Sequence, residues 1–270
     1  MTSVEIAVAT FTWQGTPWSL GKRVLREFHK SVIQQIRKHA RTLGVDVRRA
    51  TAMNIWQLRL PRMLNDHGIC TVLDVGANEG QYACALLENG YRGSILSFEP
   101  LTSAWSRLQE KARSFAPRWS VADRMALSDV SGESVFFEAG NSVSSSLLAM
   151  ARRHEIAAPD SVVVQTIKVM TAQLDDYLAQ HPVESPAFLK LDVQGAEAQV
   201  LQGAENMLRK RISGIQLEMS LQTLYEGQQL YWENDRYLRD IGFRCCDIVP
   251  EFRDPASLEL LQYDAVYFRS

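Results

Sequence analysis

The stretch Thr71-Val-Leu-Asp-Val-Gly-Ala-Asn-Glu-Gly80 decides the fold that we expect for the rest of the chain. An apolar run leads into glycines, and a helical pattern from Gln81 to Glu88 follows. This order predicts a buried parallel strand, a tight turn and a helix. Glycine permits a positive φ and lets a ligand approach the backbone, and the helix start offers free N–H groups. The stretch therefore predicts a ligand site at the turn.

A second strand pattern ends in an acid. The apolar run from Ser94 to Phe98 is followed by Glu99, about 25 residues after Asp74. Nucleotide-binding folds usually hold the ribose through an acid at the end of the second strand. Glu99 is therefore a candidate for binding ribose hydroxyls.

Two later runs repeat the pattern of a buried strand that ends in an acid. The run from Ala187 to Leu191 precedes Asp192, and the run from Ser213 to Leu217 precedes Glu218. In open α/β sheets, ligands bind in the crevice at the carboxyl ends of the strands. We therefore expect four acids at one sheet edge: Asp74, Glu99, Asp192 and Glu218.

Strand-like and helix-like runs alternate along the chain and give roughly seven strands, mostly separated by helices. The alternation predicts an α/β fold with a largely parallel sheet and helices on both faces. Among the helices, we expect one from about Ala50 to Leu64, interrupted by Pro61, and a short one over Thr171–Leu178 that begins at a Thr cap.

Residues 1–66 differ from the rest. Apolar residues recur there at helical spacing between lysines and arginines, which indicates a basic amphipathic helix. We expect an N-terminal helical segment over 1–66 and the main domain over 67–270. Packing on the core, a lid over the substrate site, a homodimer arm and a membrane-surface contact stay open as roles for the segment. The residues of this pattern are Lys22, Arg23, Val24, Leu25, Arg26, Phe28, Lys30, Val32, Ile33, Ile36, Arg37, Lys38 and Arg41, with Trp13, Trp18 and Trp56 nearby.

Bulk composition excludes several classes of protein. The 270 residues include 29 Lys and Arg and 31 Asp and Glu, so a net charge of -2 gives no reason to expect nucleic acid as a partner. The four cysteines form no CxxC pair, which argues against a zinc site or a disulfide framework and favours reduced thiols in a cytoplasmic protein. We expect neither a secretory signal nor a transmembrane segment, which would need roughly 20 apolar residues.

Five runs of residues occur together and in a fixed order. They are Val72-Leu-Asp-Val-Gly-Ala-Asn-Glu-Gly80, Phe98-Glu-Pro100, Ala126-Leu-Ser-Asp129, the serine-rich run from Asn141 to Leu147, and Leu189-Lys-Leu-Asp-Val-Gln-Gly-Ala-Glu197. Together they resemble the FkbM family of S-adenosylmethionine-dependent methyltransferases, over about residues 70–270. The last run is the most specific of the five. The family usually has Glu where this chain has Gln194.

The resemblance implies a Rossmann-like, seven-stranded methyltransferase sheet whose last strand is antiparallel and inserted before the end of the order. It implies S-adenosylmethionine as methyl donor and, in many members, a hydroxyl acceptor on a sugar or other natural product. Glu99 would hold the ribose hydroxyls. By the same resemblance, Asp74, Gly76, Asn78 and Gly80 would line the methionine part of the donor, and Asp123, Arg124 and Ala126 would flank the adenine.

Methyl transfer requires an acceptor oxygen aligned with the S–CH₃ bond at about 3 Å. Because an alkyl hydroxyl is a poor nucleophile, it needs a proton acceptor or a metal ion. We expect Asp192 as base or metal ligand with Glu218 in support, and a Mg²⁺ site that also includes Asp264 is one alternative. His154, in a loop, is an alternative base, or else a solvated surface histidine. Glu197 is expected to be a first-turn acid stabilised by the helix dipole.

Other functions stay open. An NAD(P)-dependent oxidoreductase uses a similar turn but usually has G-x-G-x-x-G, which Asn78 and Gly80 break. A catalytically silent scaffold on the same fold would not need the acids at the strand ends. A methyltransferase with an N or C acceptor is the runner-up, although no Asn/Asp-Pro-Pro-Tyr motif is present. The favoured interpretation is an O-methyltransferase that acts on a sugar or glycosylated natural product.

Overall fold

The computed structural model describes residues 32–47 and 50–269, and the chain divides into two units, Met1–Ala50 and Thr51–Ser270. In the first unit, helix α1 covers residues 32–42 of the described part and exposes Val32, Ile33 and Ile36. The roles considered for segment 1–66, and its boundary at residue 66, stay predictions. Other residues of the basic helical pattern lie outside the described ranges: Trp13, Trp18, Lys22, Arg23, Val24, Leu25, Arg26, Phe28 and Lys30.

The second unit alternates strands with helices. Its strands are β1 (Thr71–Val75), β2 (Ser94–Phe98), β3 (Trp119–Val121), β4 (Ala126–Leu127), β5 (Gly132–Ala139), β6 (Val163–Ala172), β7 (Ala187–Leu191), β8 (Ile212–Ser220), β9 (Phe243–Arg253) and β10 (Leu260–Arg269). Its helices are α2 (Trp56–Asp66), α3 (Gln81–Glu88), α4 (Thr102–Arg113), α5 (Arg152–Ala157), α6 (Leu174–Gln180), α7 (Glu197–Gln202), α8 (Glu205–Lys210) and α9 (Tyr231–Asp240), with 3₁₀ turns at Ser142–Ser144 and Pro159–Ser161.

Seven strands form one sheet in the order β3-β2-β1-β7-β8-β10-β9. The first five of these pair in parallel, whereas β10 runs antiparallel between β8 and β9. The sheet implied by the family resemblance, with its last strand inverted and inserted before the edge, is confirmed. The carboxyl ends of β1, β2, β7 and β8 therefore lie side by side along one edge.

Helices cover both faces of this sheet, as predicted. Side chains alternate between faces along each strand. In β1, Leu73 packs in one hydrophobic cluster and Val72 in another, and β7 divides Leu189 and Phe188 in the same way. The cluster around Leu73 also includes residues of α6, α7, α8 and α9. The cluster around Val72 includes residues of α2, α3 and α4. Two cores with the sheet between them therefore hold the strand ends in place.

Two predicted helices are placed differently. Helix α2 begins at Trp56 rather than near Ala50, because a turn closed by the Thr51 N–H on Asn54 Oδ1 (2.9 Å) precedes it, and Pro61 lies inside the helix. Thr171 does not cap a helix, since it belongs to β6, where its hydroxyl donates to the Gly132 carbonyl at 3.1 Å. The following helix, α6, begins at Leu174.

A second, three-stranded sheet in the order β4-β6-β5 was not predicted as a sheet. Strand β4, which lies within the family motif Ala126–Asp129, pairs in parallel with the end of β6. Phe136 and Val169 of this sheet pack with Leu101, just after β2. Phe137 of β5 also forms a bridge with Ser146, so the small sheet contacts the serine-rich run that carries the 3₁₀ turn Ser142–Ser144. No described helix is long and apolar enough to cross a membrane.

Candidate functional site

A first pocket lies where the turn after β1 meets the ends of β2 and β7. Its empty volume is ≈ 430 Å³, which includes space open to solvent. Gly76, Glu99, Met125, Ala126 and Val193 are in its wall. Two predicted cofactor-binding residues from different strand ends, Gly76 and Glu99, are thus brought together with Ala126 of the small sheet.

The two glycines of the turn are required by the packing of the chain against itself. Gly76 has φ +73°, and a Cβ there would lie 1.8 Å from the carbonyl oxygen of Asp192. Gly80 has φ +84°, and a Cβ there would lie 2.5 Å from the ring of Trp119. Gly76 lines the first pocket, whereas Gly80 packs toward α4 and β3. The missing Cβ atoms at this turn therefore allow the turn to pack against neighbouring parts of the protein, independently of any ligand.

Glu99 is held by backbone donors in the wall of the first pocket. The N–H of Asn78 donates to Oε2 and the N–H of Leu101 donates to Oε1, each at 2.8 Å. Burial raises the pKa of Glu99 to about 7, although these two hydrogen bonds and Lys190 oppose the rise. Each carboxylate oxygen keeps a further lone pair. The geometry is therefore compatible with two hydroxyl donors from a ribose.

Asn78 ties the glycine turn to the serine turn at Ser142–Ser144. Its side-chain amide donates to Ser142 Oγ at 2.9 Å, and Asn141 Oδ1 accepts from the N–H of Ser144 at 3.1 Å. Ser142 and Ser145 line the first pocket. The predicted residue Asn78 therefore holds a pocket wall in place through its side chain.

Asp74 contacts the site through a lysine that the sequence analysis missed. The side chain of Asp74 is fully buried, with Oδ1 3.2 Å from Lys190 Nζ and Oδ2 accepting from Ser97 Oγ at 3.0 Å. Lys190 also donates to the Gly76 carbonyl at 3.0 Å and lies 3.5 Å from Asp192 Oδ2. Burial lowers the pKa of Lys190, but Asp74 and Asp192 outweigh it and raise that pKa. A lysine inside an apolar strand was the available signal, because a buried charge needs a partner.

Asp192 and Glu218 are bridged by Gln194. The Gln194 amide nitrogen donates to Asp192 Oδ1 at 2.8 Å and to Glu218 Oε2 at 3.0 Å. Its oxygen accepts from the Tyr225 hydroxyl at 2.7 Å, which fixes the amide orientation. Gln262 donates a further hydrogen bond to Glu218 Oε2 at 2.8 Å. The two predicted catalytic acids therefore meet at one amide.

Further acids surround this pair. Burial raises the pKa of Glu218, and Asp192, Glu197 and Asp264 raise it further. Burial also raises the pKa values of Glu197 and Asp264 to about 7. Glu197 begins α7, as predicted, and accepts from the N–H groups of Val193 and Gly195 at 3.2 Å each. The site thus holds more carboxylates than nearby cations, which favours protonation of the buried ones.

The three acids named as Mg²⁺ ligands do not form a coordinating group. No set of three or more His, Cys, Asp or Glu residues able to hold a metal ion occurs among residues 32–47 and 50–269. Amide donors separate the carboxylates instead: Gln194 lies between Asp192 and Glu218, and Gln216 donates to Asp264 Oδ2 at 2.7 Å. The Mg²⁺ expectation therefore lacks its ligand set in the described chain.

A second pocket lies on the other side of the serine turn. Asp192, Gln194 and Glu218 line it together with Glu251 and Gln262. Its empty volume is ≈ 770 Å³, again including space open to solvent. Residues Val143 and Ser144 of the serine turn face this pocket, whereas the neighbouring Ser142 and Ser145 face the first one. The turn is therefore a shared wall of the two pockets.

His154 lies in the second pocket and not on the surface. It belongs to helix α5, is 3% exposed, and packs against the rings of Tyr225 and Phe252 at centroid distances of 5.1 and 5.4 Å. Burial lowers its pKa to about 4, so the ring is neutral at pH 7. Nδ1 has no hydrogen-bond partner among the described residues. The expectation of a loop position and the solvated-surface alternative are both wrong, because the apolar partners come from distant parts of the chain.

Of the three predicted adenine-flanking residues, one lines the first pocket and two lie on the surface. Ala126, in β4, lines the first pocket, and so does Met125, which was not predicted. Asp123 and Arg124 are exposed, and Arg124 Nη1 donates to the Pro100 carbonyl at 3.1 Å. Their contact with an adenine stays a prediction.

Comparison with known proteins gives one family and several relatives. The family described as Methyltransferase FkbM domain matches residues 74–245, well over half of the chain. The 2-O-methyltransferase NoeI of Sinorhizobium fredii is 31% identical over 168 residues, an alignment that covers 58% of this chain and 66% of NoeI. The hexuronic acid methyltransferase AglP of Haloferax volcanii is 30% identical over 136 residues, covering 50% of each protein. The chain thus spans between half and just under two thirds of these relatives.

Solved structures resemble the chain only loosely. An rRNA methylase from Streptococcus thermophilus has a TM-score of 0.43 and 10% sequence identity, with 83% of this chain and 99% of that chain covered. A TM-score at this level carries no argument about the substrate.

Proposed function

This chain belongs to the FkbM methyltransferase family, and we propose on that premise that it methylates a hydroxyl of a sugar or glycosylated natural product with S-adenosylmethionine. The observation that carries the proposal is the position of Asp192 between two pockets. Its carbonyl packs on Gly76 in the wall of the first pocket, and its side chain lines the second. The name of the relative NoeI, a 2-O-methyltransferase, supports an oxygen acceptor, and the name of AglP, a hexuronic acid methyltransferase, supports a sugar.

The first pocket is the proposed donor site. Glu99 would accept hydrogen bonds from the ribose hydroxyls while its backbone partners keep it in place. Gly76 and the serine turn, which Asn78 holds through Ser142, would contact the methionine part of the donor. Met125 and Ala126 would contact the adenine. The donor is a sulfonium cation, so the carboxylates around Lys190 are suited to it by charge.

Asp192 is the proposed base. Its side chain is 44% exposed and lines the second pocket, so it is accessible to an acceptor hydroxyl. The hydroxyl oxygen forms a bond to the methyl carbon as the S–CH₃ bond breaks, and the electron pair of that bond goes to sulfur. The hydroxyl proton goes to the Asp192 carboxylate. Gln194 contacts Asp192 Oδ1 and Lys190 contacts Oδ2, so together they orient the carboxylate for this transfer.

Glu218 is proposed to support the acceptor and not to act as a second base. Its Oε2 accepts from both Gln194 and Gln262, and burial raises its pKa. A protonated carboxyl can donate a hydrogen bond to a neighbouring acceptor oxygen. Glu218 would thus position a sugar oxygen beside the one that reacts.

Magnesium does not fit this arrangement of side chains. A Mg²⁺ ion needs oxygen lone pairs that converge on one point. The facing oxygens of Asp192 and Glu218 instead accept from the Gln194 amide, whose N–H groups would repel a cation. The proposed reaction therefore uses the Asp192 carboxylate as base without a metal ion.

Transfer of radiolabelled methyl groups tests the proposal. Purified full-length protein is incubated with tritiated S-adenosylmethionine and a panel of glycosides and glycosylated polyketides, and donor binding is measured by calorimetry. We expect donor binding and label in at least one glycoside, at oxygen by mass spectrometry. Label in none of them, with donor binding intact, would contradict the sugar-hydroxyl acceptor, and label at nitrogen or carbon would favour the alternative acceptors. Absence of donor binding would contradict the activity itself.

A further inference from the structure

The second pocket is lined by acids and by no lysine or arginine of the described chain. Asp192, Glu218 and Glu251 contribute carboxyl groups to its wall. Because burial favours the protonated form of Glu218, the negative charge comes from Asp192 and Glu251. Glu251 is exposed and therefore accessible to a ligand, and a pocket wall of one sign raises the local concentration of ligands of the opposite charge.

Two cations close to the pocket wall are paired within the protein. Lys190 is 7% exposed at its side chain; it contacts Asp74 and the Gly76 carbonyl and lies 3.5 Å from Asp192 Oδ2. Arg153, next to His154 in sequence, lies 3.3 Å from Asp254 and 2.9 Å from Glu259. Glu251 is therefore a carboxyl group of the pocket wall for which no ion pair is found among the described residues.

His154 gives a second, independent indication of a ligand. It is a polar side chain with 3% exposure in the pocket wall, and its Nδ1 has no hydrogen-bond partner within the part of the chain that the structure describes. Buried polar atoms are almost always hydrogen-bonded, so an orphaned one next to a pocket points to a ligand group. A neutral imidazole nitrogen can accept from an O–H or an N–H donor.

The acids also repel one another. Partial desolvation in the pocket wall raises the pKa of Glu251, whose side chain is still accessible, and Asp192 raises it further; Asp192 likewise raises the pKa of Glu218 after burial. A cation between them would relieve this repulsion. Phe252, whose ring lies beside His154 in the same wall, offers an aromatic face to the ring of a sugar or to a cation.

We propose that the second pocket binds an acceptor that carries a protonated amino group near the methylated hydroxyl, and that it excludes acceptors with a carboxylate. The inference rests on the proposed function, because it assigns the acceptor to this pocket. The ammonium would lie against Glu251 and Asp192, and a donor of the acceptor would reach His154 Nδ1. A protonated amine has no lone pair, so the hydroxyl stays the nucleophile. The related AglP is named for a hexuronic acid, and the acceptor proposed here has the opposite charge.

Three matched sugars test the charge preference. Full-length protein saturated with S-adenosylhomocysteine is titrated calorimetrically with methyl glucosaminide, methyl N-acetylglucosaminide and methyl glucuronide. We expect the free amine to bind at least about fivefold more tightly than the N-acetyl sugar, and the glucuronide to bind most weakly. Equal or tighter binding of the N-acetyl sugar or the glucuronide, or no binding of any of the three, would overturn the inference.

A pair of variants tests whether Glu251 causes the preference for the protonated amine. Glu251→Gln removes an exposed pocket carboxylate, and Glu184→Gln removes an exposed carboxylate outside the pocket wall. We expect the preference for the amine to fall toward unity in the first variant and to stay unchanged in the second. An unchanged preference in Glu251→Gln would contradict the assigned pocket. If the amine binds but no member of the glycoside panel is labelled at oxygen, the proposed function fails and the binding site stands.

Discussion

At the scale of single residues, Gln194 decides how two carboxylates share the centre of the site. Its backbone is left-handed at φ +56°, and its amide is fixed by Asp192, Glu218 and Tyr225. An amide at this place supplies two N–H donors without adding charge. A carboxylate in the same position would instead complete a group of three acids.

The substitution Gln194→Glu is therefore expected to change the site from an amide bridge to a cation site. Methyl transfer should fall by about a hundredfold, because two hydrogen bonds to the catalytic acids are replaced by repulsion. Mn²⁺ should bind to the variant in calorimetry and should not bind to the parent protein. EDTA should leave transfer by the parent protein unchanged.

Gln165→Glu is the matched control, because Gln165 donates a similar hydrogen bond to Glu138 at 2.7 Å on the exposed surface of β5 and β6. It should alter neither transfer nor metal binding. Tight Mn²⁺ binding by the parent protein, or loss of its activity in EDTA, would contradict the amide bridge.

At the scale of elements, the turn from β1 into α3 depends on contact between two strand ends. The Cβ of an alanine at position 76 would lie 1.8 Å from the Asp192 carbonyl, which is backbone and cannot move aside alone. Gly90, at the end of α3, has a similar positive φ of +92°, but a Cβ there would meet nothing within 4 Å. Alanine substitutions at these two glycines therefore separate the cost of a positive φ from the cost of a steric clash.

We expect Gly90→Ala to lower the free energy of unfolding by about 1 kcal/mol, the usual cost of a positive φ for alanine. Gly76→Ala should lower it by clearly more than that, and it should weaken donor binding where the protein still folds. Urea denaturation of both variants measures the difference. Equal losses in the two variants would mean that β1 and β7 do not approach as closely as described.

The elements that sequence predicted well are those with strong local patterns. The bounds of β2 and α3 match the predictions, and β1 lies at the start of the stretch Thr71–Gly80 that predicted a strand and a turn. β4 has only two residues, and its partner in β6 lies far along the chain, so no local pattern identified the small sheet. Tertiary pairing likewise placed Thr171 in a strand although it resembles a helix cap.

The site residues, too, were predictable where a local sequence pattern marked them. Glu99 and Asp192 directly follow β2 and β7, and Glu218 lies near the end of β8, so sheet topology alone brings them to one edge. Lys190 and His154 were missed or misplaced because their partners come from distant segments. The burial of His154, for example, depends on Tyr225 and Phe252.

At the scale of the whole molecule, buried acids tie stability to pH. Burial raises the pKa values of Glu99, Glu197 and Asp264 from 4.5, 4.5 and 3.8 to about 7. The folded state therefore binds more protons than the unfolded state below pH 7, and stability falls as pH rises through 7. The lowered pKa of His154 acts in the opposite direction, but only below about pH 6.5.

The ligand-free protein should accordingly be more stable at pH 6.5 than at pH 8, by an amount on the order of 1 kcal/mol per group at most. Thermal melting in buffers of equal ionic strength measures this. Saturating S-adenosylmethionine should reduce the difference, because a cation beside the carboxylates favours their ionised form. A Tm that rises from pH 6.5 to pH 8 without ligand would contradict the burial of these acids.

The position of Asp192 between donor and acceptor is tested most directly by Asp192→Asn, which keeps the shape of the side chain and removes its basicity. The measurement is single-turnover methyl transfer beside calorimetric affinity for S-adenosylmethionine in the same preparation. We predict that transfer falls by at least about a hundredfold while donor affinity stays within about tenfold of the parent value. Transfer at the parent rate with unchanged donor affinity would contradict the account.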